Sequence, residues 1–238
     1  MLEPMPEDWR RALAVVAHPD DLEYGCAAAV AVWTRAGREV SYLLATRGEA
    51  GIDTLDPEKA APLRAREQRA GAAAVGVSSV EFLDHADGVI EYGPRLRRDI
   101  TAAIRRHRPE LLITLNFDDT WPGGVDWNTP DHKAVGRATL DAAADAGNRW
   151  IFPGAGGEPW DGVRWVAVAA THSPTHAVDV TAGLDQGVRS LLEHRTYIEA
   201  LTDEDPEAYA RSFVENAVRQ EDGPFGDRPT VTFRLYTR

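Results

Sequence analysis

Leu13-Ala14-Val15-Val16-Ala17-His18-Pro19-Asp20-Asp21 passes from a wholly apolar run into a polar loop, and the alanine-rich stretch that follows, residues 21–36, has the composition of a helix. A short apolar run bounded by turn residues fits a strand buried on both faces, so the segment reads as strand, loop, helix. The unit recurs. Residues 40–46 form a second apolar run, Arg47-Gly48-Glu49-Ala50-Gly51 a second loop, and residues 57–75 a helix closed by Gly76. Residues 79–83 and 111–115 read as further strands, separated by a helix over 94–107 with Arg and His in its last turn, where the helix dipole favours cations.

Strands alternating with helices predict an α/β fold of three layers, a mostly parallel sheet covered on both faces. In such sheets ligands bind beyond the carboxyl ends of the strands, where the strand order reverses. The loops starting at His18, Arg47, Asp84 and Asn116 are therefore the ones to watch. The last is long, runs to Thr129, contains Asp118, Asp119, Asp126 and Trp127, and leads into a helix opened by Pro130. Downstream, residues 165–170 and 177–180 read as strands, 184–201 as a helix and 230–236 as a final strand. No repeat or linker divides the chain, so one domain over 1–238 is expected.

Composition narrows the function classes. Of 238 residues, 43% are hydrophobic and 27% charged, enough to bury a core. The formal charge of −12 opposes nucleic acid or an anionic membrane as the main partner and favours a small molecule. One cysteine, Cys26, excludes an intrachain disulfide framework, and the acidic N-terminus lacks the basic start and apolar run of a signal peptide; a cytoplasmic protein is expected. No apolar run is long enough for a membrane helix. A homo-oligomer is compatible with the sequence.

The chemistry-bearing residues lie in those loops. Imidazole and carboxylate together suit zinc, and a catalytic zinc keeps three protein ligands and one open position. The loop His18-Pro19-Asp20-Asp21 offers two ligands, and Pro130-Asp131-His132, at a helix start beyond another strand, offers a third across the sheet edge. A carboxylate of the first loop left off the metal is placed to act as base toward water. The plainer reading of this loop is a helix cap, since aspartates favour that place.

Residues 17–26, Ala17-His18-Pro19-Asp20-Asp21-Leu22-Glu23-Tyr24-Gly25-Cys26, resemble the signature of the PIG-L / LmbE-like zinc-dependent N-deacetylases, which include enzymes of mycothiol and bacillithiol synthesis. Further segments resemble that family in order: Thr46-Arg47-Gly48-Glu49-Ala50-Gly51, Arg66-Glu67-Gln68, residues 82–88, Pro130-Asp131-His132 and Leu192-Glu193-His194-Arg195. The resemblance implies a Rossmann-like fold and zinc on His18, Asp21 and His132, with iron(II) able to use the same set. It implies Asp20 as general base, and Arg66 and Asp87 as residues near the site. The implied substrate is a small N-acetylated amino-sugar compound.

One position departs from the pattern. Thr129 stands where the family usually has a second histidine, so oxyanion stabilisation would fall to zinc, Arg66 or Arg47, and Asp20 would serve as both base and acid. Two alternatives follow: an amidase of thiol conjugates, or a metal-binding relative with altered or lost hydrolysis. The remaining features have plain readings. Cys26 is a packing residue, Gly154 to Gly157 a turn, and His85, His107, His172 and His176 structural or exposed. Arg66 also reads as a solvated helix residue, Asp87 as a turn former and His194 as a core histidine.

Overall fold

The computed structural model describes residues 2–220 and 223–238. Eight strands of one sheet are seen among them: β1 (Glu3–Pro4), β2 (Arg11–Val16), β3 (Glu39–Leu44), β4 (Ser79–Phe82), β5 (Leu111–Leu115), β6 (Trp165–Ala169), β7 (His176–Asp179) and β8 (Thr230–Thr237). Their order is β1-β7-β8-β6-β5-β2-β3-β4. From β2 the chain steps outward through β3 and β4, then returns to place β5 on the other side of β2. That reversal puts the crevice beyond β2 and β5, where His18 and Asn116 begin their loops.

The sheet is mixed: among the described residues five strand pairs are parallel and two are antiparallel. β8 runs antiparallel to both β6 and β7. The alternating strand and helix pattern stops at β6: residues 170–175 join β6 to β7 without a helix, and the C-terminal strand fills the gap between them.

The helices are α1 (Asp21–Gly25), α2 (Ala27–Arg35), α3 (Pro57–Ala74), α4 (Pro94–His107), α5 (Pro130–Asp145), α6 (Leu184–Leu192), α7 (Arg195–Leu201) and α8 (Pro206–Ala217). Alternate side chains of the strands feed two separate cores, as a period of two requires. Ala12, Ala14, Val16, Tyr42, Leu44, Leu111 and Ile113 pack with α2, α6 and α8 on one face. Leu13, Val15, Leu43 and Leu112 pack with α4 and α5 on the other. Three layers result. α6 lies close on α2 because Gly187 faces Ala28, where a Cβ would come within 3.0 Å of the alanine Cβ.

Two helices expected as continuous are broken. Residues 21–36 divide at Cys26, whose φ of −160° leaves the helical region. Residues 184–201 divide at Glu193-His194, where Glu67 of α3 accepts the Thr196 backbone N–H and the His194 side chain turns into the interior. α8 and the two-residue β1 had no expectation. Among the described residues, no helix is long and apolar enough to cross a membrane.

Candidate metal centre and active site

β2 ends at Val16, and past the buried Ala17 the chain turns sharply through Asp20, whose φ of 87° is left-handed and unusual for a residue with a side chain. The turn is tied down from within. Asp21 Oδ2 accepts the backbone N–H groups of Ala17 and His18 at 3.0 and 2.9 Å, which leaves Oδ1 directed at the crevice. Asp20 donates its backbone N–H to Gln68 Oε1 at 2.8 Å. Strain held by such contacts is a feature of functional sites.

Two histidines meet Asp21 Oδ1. Asn128 fixes His132: its Nδ2 donates to the carbonyls of Asn116 and Asp118, which orients the amide, so its Oδ1 accepts from His132 Nδ1 at 2.8 Å. His132 Nε2 then presents a lone pair. His18 Nε2 lies 3.1 Å from both Asp131 Oδ2 and Asp87 Oδ1, so it donates, and His18 Nδ1 presents the other lone pair. These inner nitrogens are 3.2 Å apart, and Asp21 Oδ1 is 3.0 Å from His132 Nε2 and 3.7 Å from His18 Nδ1.

Three acceptor atoms thus converge with their outer partners in place, an arrangement that calls for a cation between them. His18, Asp21 and His132 fit a divalent metal with imidazole and carboxylate ligands, and Asn128, Asp131 and Asp87 fit the outer groups that set ligand tautomers. The surrounding carboxylates make this a place that favours positive charge, held as a proton on His18 where no metal is bound. Burial disfavours a charged His18, yet the carboxylates of Asp131, Asp21 and Asp87 outweigh it and raise its pKa well above the ordinary value. His18, Asp87 and Asp131 form a second cluster of potential ligand atoms. Both Asp131 oxygens there are already occupied by the backbone N–H groups of Gly88 and Ile90.

Asp20 stands beside this set. Arg64 Nη2 donates to its Oδ2 at 2.6 Å and to the Pro19 carbonyl at 2.7 Å, while Nη1 donates to the Gly48 carbonyl at 3.0 Å. Loop residues Gly48 and Gly51 close around this guanidinium so tightly that a Cβ on either would collide with it. Burial pushes the Asp20 carboxyl up to about 6, and the Arg64 charge only partly offsets it. Behind Asp20, Gln68 Nε2 donates to both oxygens of buried Glu23 at 3.1 and 3.2 Å, and Glu23 also accepts from Ser190 and faces His194 at 3.6 Å.

The structure brings His18, Asp20, Asp21, Asp87 and His132 together around one pocket of about 530 Å³. It does not bring Arg66. That side chain is exposed on the far side of α3, donating to the Pro62 carbonyl, because two residues rotate a helix by about 200°. Arg47 is also turned away, onto the Leu83 carbonyl and Asp84. Arg64 takes the place expected of Arg66. Its signal was present in the sequence: Ala60, Arg64, Gln68 and Ala72 recur every four residues and form the buried face of α3.

The long loop folds back on itself through a bridge between Thr120 and Trp127, with Gly123 and Gly124 at positive φ in the turn. Trp121 reaches the pocket and stands edge-on to His132, with ring centroids 5.3 Å apart. Trp127 is exposed and lies under Lys133. Thr129 caps α5, its hydroxyl accepting the His132 backbone N–H at 3.2 Å. Tyr24 of α1, Tyr197 of α7 and Tyr209 of α8 complete the walls. Tyr209 could not be anticipated without α8.

The fold and this constellation have known counterparts. A family model described as GlcNAc-PI de-N-acetylase (PIG-L) matches residues 13–143, more than half of the chain, and the chain belongs to that family. Over 197 residues it is 29% identical to the diacetylchitobiose deacetylase of Thermococcus kodakarensis, covering 79% of this chain and 70% of that protein. Over 202 residues it is 32% identical to the 1D-myo-inositol 2-acetamido-2-deoxy-alpha-D-glucopyranoside deacetylase of Kineococcus radiotolerans, covering 69% of this chain and 53% of that one. The solved N,N'-diacetylchitobiose deacetylase of Pyrococcus horikoshii, complexed with its inhibitor MPG, superimposes with a TM-score of 0.81 at 22% identity, covering 97% of this chain and 85% of that one; at that identity the likeness is one of fold.

Proposed function

We propose that the protein is a metal-dependent N-deacetylase that hydrolyses the acetamide of a GlcNAc-type sugar on a small molecule, with His18, Asp21 and His132 as metal ligands and Asp20 as general base. The observation that carries this reading is the convergence of two tautomer-fixed imidazole nitrogens and one carboxylate oxygen, with a second carboxylate beside them, held by Arg64. The names of the relatives give the substrate class. The pocket volume of about 530 Å³ suits a sugar-sized ligand.

Zinc bound here, or iron(II), would supply a Lewis acid for the carbonyl and a water acidified toward pKa ~7. The chain's own residues supply the rest. Asp20, with its carboxyl near 6, takes the proton of the attacking water and returns it to the departing amine. Arg64 holds that carboxylate toward the reacting centre. Burial raises the Tyr24 hydroxyl and pushes that of Tyr197 up to about 12, so both remain protonated and available as donors to the sugar or the developing oxyanion. Thr129, occupied in capping α5, leaves both proton transfers to Asp20.

Metal analysis of the purified protein combined with acetate release from N-acetylglucosaminides tests the reading. One divalent ion per chain is expected, with activity lost to a chelator and restored by zinc or iron(II). A protein without bound divalent metal that releases no acetate would overturn it.

A further inference from the structure

The pocket at His18 and Asp20 does not stand alone. A larger cavity of about 770 Å³ lies against it, and Tyr24, Leu115 and Trp121 line both. Its far wall is apolar, formed by Phe213, Val214 and Val218 of α8 and its C-terminal end with Val231 of β8. Phe213 packs edge-on against Tyr24 at 4.7 Å, which ties α8 to the partition between the two spaces. Val214, Val218 and Val231 are buried in the core yet border this empty volume.

The charge of the lining is as informative as its shape. No arginine or lysine lines the cavity among the described residues. Glu23, an anion itself, is engaged by Gln68 and Ser190, and His172 holds Thr120 through Nε2, so no arginine or lysine charge faces a ligand there. A phosphate or carboxylate would enter without a counter-charge, whereas an uncharged hydrocarbon would bury its surface there. Both volumes lie within the ~300–1,000 Å³ range of small-molecule sites, so together they offer one polar and one apolar compartment.

We propose that this cavity is the aglycone subsite, and that the substrate is an amphipathic glycoside whose N-acetylated sugar occupies the polar pocket while an uncharged, apolar aglycone passes Trp121 into the chamber under α8. The proposal rests on the deacetylase reading for the placement of the sugar. Each buried methylene, worth ~0.8 kcal/mol on transfer, corresponds to at most about fourfold in kcat/KM. Binding costs absorb part of that gain, so a hexyl glycoside is expected to exceed the methyl glycoside by at least about tenfold.

Acetate release is measured from methyl and hexyl N-acetylglucosaminides with the wild-type protein and with Ala217→Trp and Val214→Trp. Both variants narrow the chamber without touching the polar pocket. Ala217 is exposed at the end of α8, so that variant carries little risk of misfolding. The expected result is a hexyl preference in the wild type that falls toward one in the variants, with turnover of the methyl compound unchanged within about twofold. Equal kcat/KM for the two glycosides, or a preference that survives both substitutions, would overturn the subsite. If neither glycoside is hydrolysed, the deacetylase reading fails instead, and the chamber is judged by calorimetric titration with hexyl glucoside, which has no acetamide. Binding that Ala217→Trp weakens supports the chamber, and absence of binding to the wild type overturns it.

Discussion

Arg64 Nη2 sits 2.6 Å from Asp20 Oδ2 and bonds the Pro19 carbonyl with the same nitrogen, so one guanidinium fixes both the carboxylate and the strained turn that presents it. A lysine keeps the charge but not the fork that also reaches the Gly48 carbonyl. Arg64→Lys is therefore expected to lower kcat about 10–100-fold, the equivalent of one charge-assisted hydrogen bond of ~1.5–3 kcal/mol, with bound metal unchanged. Arg66→Lys, on the exposed face, is expected to stay within about twofold of wild type. Steady-state acetate release on the two variants decides which arginine serves the site, and a larger loss at position 66 would reverse the assignment.

Asp20→Asn separates proton transfer from shape. Asparagine tolerates left-handed φ, so the turn at 87° survives, and its carbonyl oxygen can still accept from Arg64. It cannot take a proton from water. Turnover is expected to fall ~10²–10⁴-fold, the usual contribution of a general base, while metal stoichiometry measured by elemental analysis stays at wild-type level. Activity within tenfold of wild type would remove Asp20 from the base role.

The outer carboxylates have a different signature. Asp131 receives the Gly88 and Ile90 backbone N–H groups and faces His18 Nε2, so it positions the ring whose other nitrogen meets His132 and Asp21. Asp131→Asn weakens the acceptor that keeps the His18 proton on Nε2. Metal affinity is expected to drop ~10–100-fold by chelator competition, whereas Asp20→Asn leaves it in place. An unchanged affinity would mean that the His18 tautomer is set by Asp87 alone.

The strand, loop and helix units up to β5 were legible because each strand is a short apolar run and the helices carry local signals, Gly37 after α2, Asp56 and Gly76 around α3, Pro94 and the basic last turn of α4, that do not depend on distant residues. The same locality explains the misses. α6 and α7 read as one helix because the break at His194 is imposed by a tertiary demand, the burial of that ring against Glu23 at 3.6 Å, and not by a proline or glycine. The direction of β8 is a property of the gap it fills. At the site, the histidines and aspartates were visible as residue types in loops after strands, but Asn128, Gln68 and Glu23 act only through contacts that the fold assembles. The resemblance points to Arg66, whereas the four-residue spacing of Ala60, Arg64, Gln68 and Ala72 marks the inward face of α3 and places Arg64 on it.

Thr129 provides the remaining test, because its present work is visible and structural. Its hydroxyl accepts the His132 backbone N–H and so fixes the start of α5, two residues from the Asp131 carboxylate and three from the His132 ring. Thr129→Val keeps the shape and removes the acceptor, at a cost of ~0.5–2 kcal/mol for a lost N-cap. For a chain of this size that corresponds to a Tm lower by roughly 1–8 °C, read by thermal unfolding. Thr129→Ser, which retains the acceptor, is expected to stay near wild type. If capping is its whole role, kcat in Thr129→Val changes by less than about threefold once metal is saturating, since no proton passes through the hydroxyl. A collapse of kcat at full metal occupancy, rescued by Thr129→Ser, would instead make the hydroxyl part of the chemistry and relieve Asp20 of one of its two proton transfers.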